Sequence, residues 1–288
     1  MAVDTLKQSG YTISAACQSL GFTRSSYYQR KATHPLEKRI DKLQDLLLIE
    51  KIKTIKLEHP YWGYRRIRAW LRYRDGILVN EKKVRRLMKA QGLMVKQTIH
   101  KAKQTPKKSK PRAERPKQYW DIDMTKFIIN GLGWVYLVIV LDWYTKKVVG
   151  WDISLRSKSS DWQRALSMAV NREFSDGVRG KGLKLISDNG SQPTSVSFMK
   201  ETANLEIEQI FTSYDNPKGN ADTERMMRTI KEEVIWLNEF ETLAQAKEKL
   251  SDWFENSYNK FYVHSSIAYM SPVEFEASYN RSNVKKTV

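Results

Sequence analysis

The chain is almost without cysteine: Cys17 is the only one among 288 residues. A single thiol excludes an intramolecular disulfide and any zinc finger built on cysteines, and it suits a reducing compartment. Long apolar runs are missing as well. No stretch reaches the roughly 20 residues that a membrane helix needs, so no membrane partner is expected. The opening residues, MAVDTLKQSGYT, lack a basic start followed by an apolar stretch, and no secretory signal is expected either. No internal repeat is visible. Acid is scarce relative to base, with 32 Asp and Glu against 50 Lys and Arg, a net charge of +18.

What is present is a globular composition, 41% hydrophobic, 28% charged and 11% aromatic. At roughly 100–200 residues per domain, the length suits about two domains. The charge is uneven. Residues 1–117 hold 29 basic and 9 acidic residues, a net of +20, whereas residues 118–288 are close to neutral at −2. A basic half joined to a neutral half points to a polyanion-binding module beside something else, more than to a merely soluble cationic surface.

The basic half reads as helical. Residues 13–31 suggest two short helices around a turn at Gly21-Phe22-Thr23, with small Ala16 and Cys17 at the crossing and Thr23 as a cap. This helix-turn-helix-like segment, residues 1–35, exposes Arg24 and Arg30 for phosphates or base edges. Residues 36–98 form a basic helical domain. Its first helix, about 36–57, carries Leu36, Ile40, Leu43, Leu46, Leu47 and Ile49 as the face that packs on its own domain. Pro60-Tyr61-Trp62-Gly63-Tyr64 opens another helix with Ile67, Trp70 and Leu71 inside and Arg65, Arg66 and Arg68 outside. After a turn at Asp75-Gly76, Asn80 caps a helix with Val84, Leu87 and Met88 inside and Lys82, Lys83, Arg85 and Arg86 outside. Tyr64 joins these basic residues as a DNA-contact candidate. Residues 99–117 form a linker. The stretch 96–117 has 9 Lys and Arg, a single Glu114 and three prolines, too little apolar surface to order itself. Lys107, Lys108 and Lys110 are its phosphate-contact candidates.

Beyond the linker the pattern changes to strands at 119–129, 134–142, 147–153, 183–187 and 207–211, with a hairpin turn at 130–133 and helices near 159–174, 194–203, 220–237 and 242–259. Three consecutive strands followed by helix–strand units predict an α/β fold, a mixed five-stranded sheet with helices on its faces. Residues 118–240 would form this core and 241–288 a C-terminal helical region. Three acids occupy suggestive places: Asp123 in the first strand, Asp188 at the end of the fourth, and Glu224 in the first turn of a helix. An oxygen-only ligand set suits Mg²⁺ or Mn²⁺. Each acid also has a plain structural reading: an edge-strand acid, an Asp-Asn-Gly turn, and a charge favoured by the helix dipole.

The residues resemble a known family. Trp120-Asp121-Ile122-Asp123-Met124-Thr125 matches the W-x-x-D-x-T opening of the integrase catalytic core, and Ser187-Asp188-Asn189-Gly190-Ser191-Gln192 matches its second motif. Glu224 follows Asp188 with 35 residues between them, the D,D(35)E spacing. Lys231 matches a basic position seven residues on. HPYWGYRRIRAWLR (59–72) resembles the upstream helical domain of bacterial insertion-sequence transposases, specifically the downstream-frame product of two-frame elements. Tyr258-Asn259, His264-Ser265-Ser266 and Tyr269-Met270-Ser271-Pro272 resemble their C-terminal signature. The likeness spans about residues 10–278. Pro193 stands where an aromatic is usual, and Tyr262 where Arg is frequent.

The resemblance implies a ribonuclease-H-like fold, and it selects Asp123 over Asp121, which shares a strand face with it. It implies a transposase that cleaves transposon ends and joins their 3′-hydroxyls to another phosphodiester. Asp123, Asp188 and Glu224 would be catalytic and hold two divalent ions. Arg228 and Lys231 would grip phosphates, although Arg228 is equally read as an i,i+4 partner of Glu224. Partners would be double-stranded DNA, further copies of the chain, and the upstream-frame product, fused or separate. A cytoplasmic, nucleoid-associated location follows. The competing reading is a non-catalytic DNA-binding regulator that keeps the fold.

Overall fold

A computed structural model describes residues 2–32, 35–95, 112–212 and 221–287, of which 29–32, 35–42, 221 and 283–287 are described by backbone alone. Along the chain, α1 (Ala2–Gln8), α2 (Ile13–Ser19), α3 (Arg24–Ala32), α4 (Pro35–Glu58), α5 (Tyr64–Tyr73) and α6 (Glu81–Ala90) precede β1 (Tyr119–Ile129), β2 (Gly133–Asp142), β3 (Val148–Ser154) and α7 (Ser159–Glu173). Then come β4 (Lys184–Ser187), α8 (Val196–Asn204), β5 (Glu208–Phe211), α9 (Ala221–Glu233), α10 (Leu243–Asp252), α11 (Asn259–Phe261) and α12 (Pro272–Thr287). Among the described residues, no helix is long and apolar enough to cross a membrane.

The chain divides into two units. The first comprises Met1–Pro60 and Lys82–Met94. Thr12 caps α2 by accepting the Ala15 N–H, and Thr23 caps α3 by accepting the Ser26 N–H, each at 3.2 Å. Ala16 and Cys17 are buried against Val3 and Tyr27, whose hydroxyl donates to Asp4 Oδ1 at 2.6 Å. In α4 the buried face differs from the expected one. Leu48, Ile52 and Ile55 turn inward, while Leu43, Leu46 and Leu47 are exposed. Leucines fill both faces of this helix, so apolar periodicity alone does not choose between them. Val84, Leu87 and Met88 of α6 are buried as expected. Lys83 and Arg86 reach back to Asp45 of α4, at 2.6 and 3.1 Å.

The second unit comprises Tyr61–Glu81 and Val95–Val288. Its sheet has the order β3-β2-β1-β4-β5. β2 pairs antiparallel with β1 and β3, while β4 runs parallel to β1 and β5 parallel to β4. β2 alone is reversed, which gives the mixed sheet that the pattern predicts and the ribonuclease-H-like arrangement that the resemblance implies. β2 is buried almost throughout, as a central strand covered on both faces must be. Under α7 the core is built from Trp120, Ile122, Val138, Val140 and Val149 against Trp162, Ala165, Leu166 and Ala169. Gly150 permits this approach: a Cβ there would lie 2.3 Å from the Ala165 carbonyl oxygen. Residues 121, 123 and 125 of β1 face the opposite side, where α9 packs.

Two expected helices are interrupted. The one expected over 220–237 ends at Glu233; Val234 leaves helical geometry, and a 3₁₀ turn follows at Ile235–Leu237. The one expected over 242–259 is α10 followed by a π-helical turn, Trp253–Tyr258, and α11. The wider turn buries Trp253, Phe254 and Tyr258 together. α5, expected with the basic helices on either side of it, groups with the core. The Trp62 indole N–H donates to Glu233 Oε1 at 2.7 Å, and the Arg74 guanidinium meets both Glu274 carboxylate oxygens at 2.5 and 2.9 Å.

Candidate active site

The sheet order sets where the two aspartates lie. β1 and β4 are parallel neighbours, and Asp121 is level with Ile186. Asp123 on β1 and Asp188, just past β4, each lie two residues beyond that pair on neighbouring strands, and the charge of Asp188 reaches Asp123. Asp188 is exposed in its turn, where its Oδ1 accepts the Gly190 N–H at 3.0 Å. Asn189 ties that turn to the end of β5 by donating to the Thr212 carbonyl at 2.6 Å. Gln192 reaches Ser157 Oγ at 2.9 Å, joining the second motif to the loop before α7. Glu224 stands exposed in the first turn of α9, the helix that covers β1.

The Asp123 carboxyl is raised to about 6 from the ordinary 3.8. Burial contributes most; the charges of Asp188 and Glu224 add to it, against the Met124 N–H, which donates to Oδ1 at 2.7 Å. A half-buried carboxylate beside two further carboxylates lacks positive charge, and a dication would supply it. The donor set is oxygen alone, suited to Mg²⁺ or Mn²⁺. In charge and donor type the residues fit such an ion. As the side chains stand, no three Asp, Glu, His or Cys among the described residues already form a cage. Local backbone N–H groups hold Asp123 and Asp188, so their carboxylates would have to turn to share an ion.

The basic candidates have varied surroundings. Arg24, Lys82 and Arg85 are exposed. Arg65 lies over the Tyr64 ring at 5.2 Å and 3.4 Å from Glu81. Arg66 lies over the rings of Trp62 and Tyr262, at 5.5 and 4.9 Å. Arg68 donates to the Val79 carbonyl at 3.2 Å. Lys83 and Arg86 share Asp45. Arg228 pairs with Glu232 at 2.7 Å, one turn onward, and not with Glu224; Lys231 is half-buried on the same helix. The Arg30 side chain and Lys107, Lys108 and Lys110 lie outside what the structure describes.

Sequence reasoning passed over Asp121, Thr223 and Lys146. Asp121 is fully buried and accepts both the Trp143 indole N–H, at 3.1 Å, and the Thr223 hydroxyl. The signal for Asp121 was the second acid on the same strand face. Thr223 had only its adjacency to Glu224.

Comparison with known proteins gives three family matches: an integrase core domain over residues 113–217, a second integrase core domain over 205–272, and an HTH-like domain over 42–102. A transposase for insertion sequence element IS904 from Lactococcus lactis subsp. lactis (strain IL1403) is 32% identical over 246 residues, 81% of this chain and 94% of that one. An uncharacterised 31 kDa protein of insertion element IS600 from Shigella sonnei is 26% identical over 276 residues, covering 92% and 98%. Among solved structures, the catalytic core domain of BIV integrase aligns with 58% of this chain and 99% of its own, at TM-score 0.41 and 16% identity. The HTLV-2 integrase catalytic core domain in complex with magnesium aligns with 57% and 99%, at TM-score 0.43 and 16% identity.

Proposed function

This chain belongs to the family of insertion-sequence transposases with an integrase core, and on that premise we propose that it cleaves DNA at transposon ends and joins the exposed 3′-hydroxyl to a second phosphodiester. The observation that carries the reading is the raised carboxyl of Asp123, to which the charges of Asp188 and Glu224 contribute from two distant stretches of chain. Carboxylates that repel one another beside a strand end have a use when a cation is bound between them.

Asp123 and Asp188 would hold the ions between neighbouring strands, and Glu224 would complete the set from α9. Two divalent ions, when bound, supply activation of a water or 3′-hydroxyl and stabilisation of the leaving oxygen. Around them the chain orients DNA. Lys231 lies two turns along α9 from Glu224 and would take a phosphate near the scissile bond, joined by Arg228 if it releases Glu232. Arg24, Lys82 and Arg85 would track the backbone farther off. Holding two transposon ends together calls for at least two copies of the chain, with the upstream-frame product fused or separate.

The test is Asp188→Asn with an end-sequence oligonucleotide in Mg²⁺. Cleavage and joining should disappear while DNA affinity stays within about twofold, because Asp188 is a metal ligand and not a phosphate contact. Full activity in the variant overturns the assignment. A parent protein that binds ends but never joins them, in Mg²⁺ or Mn²⁺, would be the non-catalytic regulator instead.

A further inference from the structure

Glu224 is exposed, so the backbone that carries it must aim it. The two residues before it are both fastened. Thr223 is fully buried and donates its hydroxyl to Asp121 Oδ2, the oxygen that also accepts the Trp143 indole N–H. Asp121 lies on β1 two residues before Asp123, on the same face. A fully buried carboxylate is costly unless donors are aimed at it, so the Thr223 hydroxyl is committed to that direction. On the other side, Asp222 Oδ2 accepts Lys146 Nζ at 3.0 Å. First and second strand-side anchors thus grip consecutive residues of one helical turn.

The second anchor has its own support. Lys146 sits in the turn between β2 and β3 with a left-handed backbone, φ 62°. Its carbonyl accepts the Tyr258 hydroxyl at 2.8 Å, and that hydroxyl is also 2.8 Å from His264 Nε2. Two residues farther on, the Asn259 side-chain amide bonds both the N–H and the carbonyl of Val148, at 3.0 and 2.9 Å. Tyr258, Asn259 and His264, the C-terminal signature residues, therefore converge on the turn that holds Asp222.

We propose that Asp121 and Lys146 are positioning residues for Glu224: through Thr223 and Asp222 they set the first turn of α9 against β1, and Tyr258, Asn259 and His264 brace the turn that carries Lys146. The inference rests on the reading of Glu224 as a member of the catalytic set. A misplacement of about 1 Å in such a set costs on the order of 100-fold in rate, although none of these groups touches DNA.

The test uses the full chain in four variants. Thr223→Val keeps the shape and removes the hydroxyl, and Thr223→Ser restores it. Lys146→Asn removes the ammonium with a residue that tolerates the left-handed backbone. Glu224→Gln is the reference. Joining turnover at saturating end DNA, KM for that DNA, Mn²⁺ affinity by paramagnetic resonance of the free ion, and Tm are measured. Thr223→Val and Lys146→Asn should each lower turnover about 10- to 100-fold at unchanged KM, and weaken Mn²⁺ binding by about tenfold. Thr223→Ser should recover most of both. Parent-like turnover in Thr223→Val and Lys146→Asn, or a serine variant as poor as the valine one, overturns the proposal. If Glu224→Gln itself joins DNA normally, the catalytic reading of Glu224 fails and the positioning role falls with it; if only Glu224→Gln is inactive, positioning alone fails.

Discussion

Gly190 lies directly behind the Asp188 carboxylate. A Cβ at that position would stand 3.0 Å from Oδ1 and 3.3 Å from Oδ2. Contacts that short must be relieved, and the end of the Asp188 side chain is what gives way. Gly190→Ala should therefore fold almost normally, with stability changed by about 1 kcal/mol or less, while joining turnover falls about tenfold or more because the added methyl crowds the Asp188 carboxylate as it turns to share an ion. Thermal unfolding beside a single-turnover joining assay checks this, and an alanine variant as active as the parent would mean that the Asp188 orientation is not limiting. The same neighbourhood shows what was legible at this scale. Asp123 and Asp188 each sit in a short local motif and Glu224 stands at a fixed spacing after Asp188, so all three could be singled out as candidates along the chain. The bond from Thr223 to Asp121 spans 102 residues. No linear spacing announces it, and Asp121 was set aside because it shares a face with a better-matched neighbour.

The strands were legible as elements because burial on both faces leaves a continuous apolar run, as in β2, and because α7 carries Trp162, Ala165, Leu166 and Ala169 at helical intervals. The C-terminal helices were less so. A π-helical turn changes the residue count per turn without changing composition, so the break at Trp253–Tyr258 leaves no mark in the sequence. Its consequence is physical: Tyr258 reaches His264, and the imidazole is held among cations. The His264 pKa is lowered to about 3 by burial first, then by the charges of Arg66, Lys146 and Arg225. A histidine kept neutral in the fold titrates normally when unfolded. Stability from this group is thus complete above about pH 6.5 and declines as pH falls toward 3. The loss is at most about 1.4 kcal/mol per pH unit, and less here because the ring is half-buried. Urea unfolding between pH 7 and pH 4 should show this slope, and His264→Gln should flatten it. A slope unchanged in that variant would place the acid sensitivity elsewhere than His264; Glu274, whose carboxyl Arg74 holds down at about 2, lends stability that is lost only as pH falls from 4.5 toward 2, below that window.

At the scale of the whole molecule the charge asymmetry governs behaviour, and the domain division changes which charges are available. Residues 36–98 read as one basic module because composition is uniform across them. Yet Tyr61–Glu81 belong to the core unit, through buried Trp62 and the fork of Arg74 on Glu274, which composition does not reveal. Arg66, stacked over two aromatic rings, and Arg68, bonded to a backbone carbonyl, are drawn into that unit as well. With those cations engaged, more of the work of neutralising phosphate falls to the remaining excess of base, which includes Lys107, Lys108 and Lys110. Each lysine that contacts a phosphate releases a counterion, so replacing all three by glutamine should lower the slope of log affinity against log salt by up to about 2.7. The loss should be equal for end and unrelated DNA, because phosphate contacts carry no sequence information. Anisotropy titrations with both duplexes between about 50 and 200 mM salt measure slope and specificity together. An unchanged slope would show that the three lysines do not touch DNA, and a loss confined to end DNA would make them readers of sequence.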